Sequence, residues 1–334
     1  MSKVTIYDVA KEANVGIGTV SRVLNNSKRV SDKTKKRVLK VIKRLKYQPN
    51  AMARGLALQK TGSIGILVPA VTSHFFIEVL KGVQQGLEEQ DMDLVLYNVN
   101  YGDSYDITYK EKYINRILSE KRVDGVLAIT MKMTEEEVER FKNLKVPLVL
   151  VNDFYEKISS IFVDDLSGAK KATNHLIALN HKRIAFLNGC MDCRQGQDRM
   201  KGFETALIES NIGVYDELIK IGDFDKESGY EMMKEILNLP KKDYPTAIFA
   251  ASDIQAIGAL EAINEAGYSV PEDFSLIGYD NIELSKYLKL TTIAQPMFEM
   301  GKLGVELLVD SIQSDKEKII QKELEPKLVI RESC

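Results

Sequence analysis

The stretch Val15-Gly-Ile-Gly-Thr-Val-Ser-Arg-Val-Leu24, preceded by Thr5-Ile-Tyr-Asp-Val-Ala-Lys-Glu-Ala13, decides how the chain begins to fold. Thr5 is placed to cap a helix, Asp8 three residues on supplies a short-armed capping-box carboxylate, and Val9, Ala10 and Ala13 form the apolar stripe. Asn14 to Gly16 ends that helix. Val20, Val23 and Leu24 then recur at i, i+3, i+4 and predict a second helix starting near Ile17, which the small Ala10 and Ala13 allow to approach closely. The product is a helix-turn-helix. A third helix opens at Ser31 and packs through Val38, Val41, Ile42 and Leu45, while Lys33, Lys35, Lys36, Arg37, Lys40, Lys43, Arg44 and Lys46 crowd its remaining surface.

With Val20, Val23 and Leu24 turned inward, Ile17, Gly18, Ser21, Arg22 and Asn25 lie on the side of the second helix that a major groove would meet. Arg22 can fork onto guanine O6 and N7, a contact worth roughly 1–3 kcal/mol of base discrimination, and Ile17 can touch a thymine methyl. Tyr7, Thr19 and Ser21 suit phosphates, which position without specifying.

Charge follows the same division. Residues 1 to 60 hold 15 Lys and Arg against 3 Asp and Glu, so of the totals of 46 and 48 the remainder keeps 31 and 45. The head is at +12 and the body at −14, the footprint of a DNA-binding head on a body that repels phosphate. The 334 residues, 44% hydrophobic, suffice for two or three domains with proper cores. No run of eighteen apolar residues and no secretory h-region occurs, so a cytoplasmic location is expected. Three cysteines are too few for a disulfide framework.

Beyond Thr61-Gly62, short β runs alternate with amphipathic helical segments: Ile64 to Val68, Leu94 to Val99, Val126 to Thr130, Leu148 to Val151, Ile161 to Asp164, Ile184 to Asn188, Ala247 to Ala250 and Leu276 to Tyr279. That alternation predicts parallel, doubly wound α/β sheets. There are more strands than one sheet comfortably holds, and the stretch from Val151 to Ile161 is a plausible crossover between two similar subdomains. The expected organisation is a head over 1–48, a hinge and linker over 49–61, and a body over 62–334, with one subdomain over about 62–160 and 291–322 and the other over about 161–290 and 323–334.

Thr5-Ile-Tyr-Asp-Val-Ala10, Thr19-Val-Ser-Arg-Val23 and Tyr47-x-Pro-Asn-x-x-Ala53-Arg-x-Leu56 resemble the three head signatures of the LacI/GalR family of bacterial transcription regulators, and the resemblance covers essentially the whole chain. It implies a periplasmic-binding-protein-like body with a ligand cleft between lobes and three crossovers, the last near Leu290 and Glu323. It also implies base readers at the two positions before Thr-Val-Ser-Arg and at that Arg, here Ile17, Gly18 and Arg22. The residue opening the recognition helix is usually Ser in this family and here is Gly16, so readout rests more on Arg22 and on DNA shape.

Asn50 to Leu58 is compatible with about two helical turns, below the ~12–15 residues an isolated helix needs in water. By resemblance, two such segments fold together in the minor groove, with Asn50 and Ala53 in the hinge and Leu56 as the wedge between base pairs. Leu288-Lys-Leu-Thr-Thr292 departs from the family's Pro-x-Leu-Thr-Thr, which bears on stiffness at the final crossover.

In open α/β sheets ligands bind beyond the carboxyl ends of strands. Ser73, Phe75, Phe76, Asn98, Thr130, Asp153, Asp165, Arg194, Arg199, Phe224, Asp253 and Asp280 occupy such places. Rings that pack on C–H faces and carboxylates and guanidinium groups that bracket hydroxyls suit a sugar. Arg199, in Arg-Met-Lys-Gly-Phe203, and Asp280, in Ile277-Gly-Tyr-Asp-Asn281, match family motifs that reach the effector. Asp165 and Asp253 serve equally well as caps of the helices that follow.

No glycine-rich phosphate loop, nucleophile elbow or histidine-bearing dyad marks an enzyme, and no cofactor is called for. Cys190-Met-Asp-Cys193 is a lone C-x-x-C; His74, His175, His181 and Cys334 are not arranged by sequence to complete a metal site, and the spacing alone assigns the pair no role. A transport-type sugar-binding protein would share the body and lack the basic head. The expected mechanism is a homodimer on a near-palindromic operator, repressing a carbohydrate operon and switched by a cleft ligand. Two alternatives keep the head: a phosphorylated protein corepressor of the catabolite-control type, or a purine-type corepressor. No heptad extension follows Lys327-Leu-Val-Ile-Arg331, so dimers are expected over tetramers.

Overall fold

The computed structural model describes residues 4–24, 29–47, 60–99, 107–314 and 318–334, with the Ile107 and Thr108 side chains outside that description. The chain divides into two compact units, Met1–Gly62 and Ser63–Cys334. The smaller unit holds α1 (Ile6–Glu12), α2 (Ile17–Leu24) and α3 (Asp32–Leu45). Thr5 and Asp8 form the expected reciprocal cap: the Thr5 amide donates to Asp8 Oδ2 at 2.8 Å and the Asp8 amide to Thr5 Oγ1 at 3.4 Å. Val9, Ala10, Ala13, Val20, Val23, Val38 and Val41 are buried together and bind the three helices into one core. Ser31 caps α3 through the Thr34 amide, and the helix stops at Lys46 in the left-handed conformation.

The larger unit alternates strand and helix. Its first half runs β1 (Ser63–Val68), α4 (His74–Gln90), β2 (Asp93–Asn98), α5 (Ile107–Glu120), β3 (Gly125–Ile129), α6 (Glu135–Asn143), β4 (Leu148–Val151) and β5 (Ser159–Val163). It continues through α7 (Asp165–Ala178), β6 (Ile184–Asn188), α8 (Arg194–Glu209), β7 (Ile219–Ile221), α9 (Lys226–Leu237), β8 (Ala247–Ala250), α10 (Asp253–Glu265), β9 (Ser275–Asp280) and α11 (Glu283–Tyr287). It closes with β10 (Thr291–Ala294), α12 (Met297–Gln313), β11 (Gln321–Leu324) and β12 (Lys327–Val329). Two six-stranded sheets result, ordered β11-β5-β4-β3-β1-β2 and β12-β10-β9-β8-β6-β7. Every pairing is parallel except β10 with β12. Helices cover both faces of each sheet, which is why β1, β3, β5, β6, β8 and β9 are almost wholly buried, and all but β5 are largely apolar.

One expectation is corrected. The stretch from Val151 to Ile161 is not a crossover, because β4 and β5 are hydrogen-bonded neighbours in one sheet, with Val149 opposite Ser159 and Val151 opposite Ile161. The β run expected from Ile161 is a strand of the first sheet that begins two residues earlier, with Ser159 and Ser160 both buried, so the first subdomain reaches Val163 rather than ending at 160. The chain first leaves the first sheet after Val163, through Asp164 and Asp165. It returns after β10, through Gln295 and Pro296, and crosses a last time at Glu325 and Pro326. Where the family pattern has proline, the Leu288 amide donates to Leu284 O at 3.1 Å and closes α11, a bond that proline cannot make.

Candidate functional site

On the head, the inward set expected from periodicity is inward, so the opposite side of α2 is open: Ile17, Gly18 and Arg22 are exposed and Thr19 and Ser21 half-buried. Tyr7 is 67% exposed at the start of α1. Thr5, by contrast, spends its hydroxyl on Asp8, to which it donates at 2.7 Å. Gly16 supplies the carbonyl that receives the Thr19 amide at 2.8 Å and so begins α2. Asn25, Asn50, Ala53 and Leu56 fall outside the described residues. Arg44 on α3 pairs with Glu12 on α1, which leaves the rest of the α3 basic face unneutralised by α1.

A Cβ added at Gly18 would meet nothing within 4 Å. Gly18→Asn is therefore expected to leave the melting temperature of the head within about 2 °C of the parent, since exposed changes of this kind stay near ±0.5 kcal/mol. The same variant should change the preferred base opposite position 18 in a binding-site selection, because Asn pairs with adenine in the major groove. An unchanged selected motif would remove Gly18 from the reading face.

In the body, the carboxyl ends of the second sheet's strands converge on Arg199. Arg199, on α8, is buried; its Nε and Nη2 each donate to Asp165 Oδ1 at 2.8 Å and its Nη1 donates to Ala251 O at 2.5 Å. Its guanidinium carbon lies 3.8 Å from the centre of the Tyr279 ring and 5.3 Å from that of Phe224. Burial works against this charge, and Asp165, Tyr279 and Asp280 together more than compensate, so the guanidinium is held above its ordinary pKa. Asp280, the last residue of β9, is buried beside it with φ 116, a conformation rarely adopted by an L residue, and accepts from Gln295 Nε2 at 2.6 Å. Burial pushes the Asp280 carboxyl up to about 8; Arg199 opposes that rise and Asp253 reinforces it.

Asp165 and Asp253 are neither of the caps expected of them. Asp164 caps α7 through the Ser167 amide at 2.9 Å, and Ser252 caps α10 through the Gln255 amide at 3.1 Å. Freed of that duty, Asp165 holds Arg199. Asp253 is spent on structure: it accepts from the Ile282 amide at 2.9 Å and from Ser285 Oγ and Thr292 Oγ1, each at 2.5 Å, fixing the turn that follows Asp280. Phe224 is half-buried and packs over Gly189, where an added Cβ would lie 2.2 Å from the ring.

The first lobe contributes fewer of the expected groups. Asn98 closes β2 with its Oδ1 buried and unpaired among the described residues, and Ser73 caps α4 through its backbone alone, its carbonyl accepting from the Ile77 amide at 3.1 Å. Thr130, at φ 53, accepts from Asn152 Nδ2 at 3.4 Å. Asp153 accepts from the Phe154 amide at 2.7 Å, and burial raises its pKa. Phe75 is half-buried, whereas Phe76 turns into the core of this lobe. Arg194 reaches across from α8, with its guanidinium carbon 4.3 Å from the Phe162 ring centre and 5.7 Å from that of Phe154, and pairs with Asp198 at 3.0 Å. Beside it, Gln195 Nε2 donates to Asn152 O. Gln195, Tyr279 and Gln295 were missed in the sequence, although Tyr279 directly precedes Asp280.

The raised carboxyls make stability pH-dependent. An unfolded Asp ionises near pH 4, whereas Asp280 holds its proton to about 8 and Asp253 to about 6. Across that window the unfolded chain loses protons that the folded chain keeps, so stability falls as pH rises. The urea midpoint should therefore drop between pH 5 and 8, and Asp280→Asn should flatten the decline. A midpoint rising over that range in both proteins would contradict the assignment.

Comparison with known proteins places these features. Residues 5–50 match the family described as bacterial regulatory proteins, lacI family, and residues 173–334 match the periplasmic binding protein-like domain. Catabolite control protein A of Priestia megaterium is 37% identical over 310 residues, 91% of each chain. The HTH-type transcriptional repressor PurR of Aliivibrio fischeri is 38% identical over 334 residues, 98% of each. Among solved structures, the lac repressor dimer bound to operator and the anti-inducer ONPF superposes with a TM-score of 0.87 at 28% identity over 99% of both chains. A complex of the transcriptional regulator CelR with cellobiose gives 0.74 at 30% identity, covering 99% of this chain and 100% of that one.

Proposed function

The chain belongs to the LacI family of bacterial regulatory proteins, and on that premise we propose that its cleft takes a small carbohydrate that sets how firmly the heads hold their operator. It is a DNA-binding transcriptional repressor of that family, and such regulators act as dimers on operator DNA under small-molecule control. The observation that carries the carbohydrate reading is the Arg199 cluster. Arg199, fixed by Asp165 and backed by Tyr279, lies beside Asp280 and under the Phe224 ring, so hydrogen-bonding groups and an apolar face meet at one place. That pairing suits a polyol, whose hydroxyls and C–H faces alternate. The CelR relative is bound to cellobiose, which supports the same reading.

The operator side follows from two-fold symmetry: paired heads enter successive major grooves of a near-palindrome, with Leu56 of each hinge in the minor groove between them. Ligand binding alters lobe closure and hence the hinge starts, so the two sites are coupled by differential affinity for two states. Calorimetric titration of the full chain with cellobiose, ribose, phosphosugars and purine bases tests the proposal, with Asp280→Asn as the shape-conserving control. Saturable carbohydrate binding at micromolar concentration, weakened at least tenfold in the variant, is the expected result. The similarity to catabolite control protein A gives the second reading, a phosphorylated protein corepressor; no heat from any compound in that set would favour it.

A further inference from the structure

Cys190 and Cys193 lie in the loop between β6 and α8, where the sequence alone assigned them no role. Both thiols are partly exposed. Cys193 is the cap of the sixteen-residue α8: its sulfur accepts from the Gly196 amide at 3.4 Å and donates to Cys190 O at 2.9 Å. Its neighbour Cys193 is the main reason the Cys190 thiol falls to about 7, while Cys190 and burial push the Cys193 thiol up. The loop is pressed onto the first turn of α8, since a Cβ at Gly196 would sit 2.0 Å from Cys190 O. Asn188 Nδ2 fastens it further, donating to Gly196 O at 3.0 Å.

The residues immediately after Cys193 join the lobes. Arg194 lies on the Phe162 ring and Gln195 donates to Asn152 O, so both contacts to the first lobe hang on the helix turn that Cys193 caps. We propose that Cys190 and Cys193 form a reversible disulfide, a redox site that loosens the interlobe contacts of Arg194 and Gln195. The thiol chemistry rests on local geometry; its effect on regulation rests on the cleft reading given above.

With hydrogen peroxide as oxidant, the Cys190 thiolate attacks one peroxide oxygen, the O–O bond breaks, and the departing hydroxide takes a proton to leave as water. Cys193 sulfur then attacks the Cys190 sulfenic sulfur; the S–O bond breaks, the S–S bond forms, and the hydroxyl leaves as water with the Cys193 proton. Two thiols are oxidised by two electrons and one peroxide is reduced to two waters. The disulfide removes the proton that Cys193 gives to Cys190 O and leaves a poorer acceptor for the Gly196 amide. The first turn of α8 loses its cap, and a dithiol reductant restores it.

The test uses the full chain, treated with hydrogen peroxide or dithiothreitol, acid-quenched, denatured and alkylated, with peptide mass spectrometry as readout. The expected result is joint loss of label at Cys190 and Cys193 after peroxide, retained label at Cys334, and recovery with dithiothreitol. Hydrogen exchange over residues 152–162 should rise at least fivefold on oxidation in the parent and not in Cys190→Ser, whose dithiothreitol-treated form should match the reduced parent. Retained label at both cysteines, sulfinic acid in place of the disulfide, or linkage through Cys334 would overturn the redox site. A clean disulfide with unchanged exchange would overturn the lobe coupling. Neither readout depends on which compound fills the cleft, so a failed carbohydrate titration leaves this test intact.

Discussion

Arg199→Ala is expected to destabilise the body by about 3–5 kcal/mol, the usual consequence of removing one partner of a buried ion pair. Both charged side chains of the pair are 4% exposed, so Asp165 would be left with its charge, little water and one fewer group to satisfy it. The Ala251 carbonyl would lose its guanidinium donor as well. Against a whole-domain stability of roughly 5–15 kcal/mol, that loss is large enough to read directly as a shift of the urea midpoint. It also confounds any binding assay on the single variant, because a partly unfolded cleft binds nothing.

Replacing both partners separates the two effects. Arg199→Met with Asp165→Leu removes the charges together and should recover most of the lost stability, since a buried pair is often no better than apolar groups of similar volume. The double variant should still fail to bind a carbohydrate that the parent binds. A single variant that loses less than about 1 kcal/mol would mean the pair is solvated and that Arg199 is not the anchor of the cleft.

Much of this was legible in the sequence, for identifiable reasons. The head was readable because each helix carries its own signals: Thr5 with Asp8, Ser31 before α3, and apolar stripes at helical spacing. The strands Leu148 to Val151, Ile184 to Asn188 and Ala247 to Ala250 were legible as continuous apolar runs because both faces of the sheets are covered. β7, with three residues, and β11, Gln-Lys-Glu-Leu, are edge strands or short ones with no such run; their neighbours, not their residues, make them strands. The cleft was legible as strand ends but not as bonds. Asp164 and Asp165 are adjacent carboxylates, and only the fold decides that the first caps a helix and the second meets an arginine 34 positions away. The same limit hid Gln195 and Cys193, whose roles depend on what packs against the first turn of α8.

The second large effect belongs to the head. Arg22→Ala should weaken operator binding by about 2–6 kcal/mol per dimer, taking each bidentate contact with guanine as about 1–3 kcal/mol and counting both half-sites. That corresponds to roughly thirtyfold to more than ten-thousandfold in Kd. Arg22 is exposed on the open side of α2, so its removal leaves the buried valines of the head untouched, and the loss should come with no change in melting temperature. Binding to random DNA should change far less, because the Lys and Arg side chains of α3 that face solvent still meet phosphates. Lys40→Ala provides the contrast: it should weaken operator and random DNA alike and lower the salt dependence of both by about one unit. Fluorescence anisotropy over a salt series, on an operator obtained by selection and on a scrambled duplex, distinguishes the two. Equal losses on the two duplexes for Arg22→Ala would make Arg22 a phosphate contact, and the burden of reading would then fall on Ile17, on Gly18 and on the shape of the DNA.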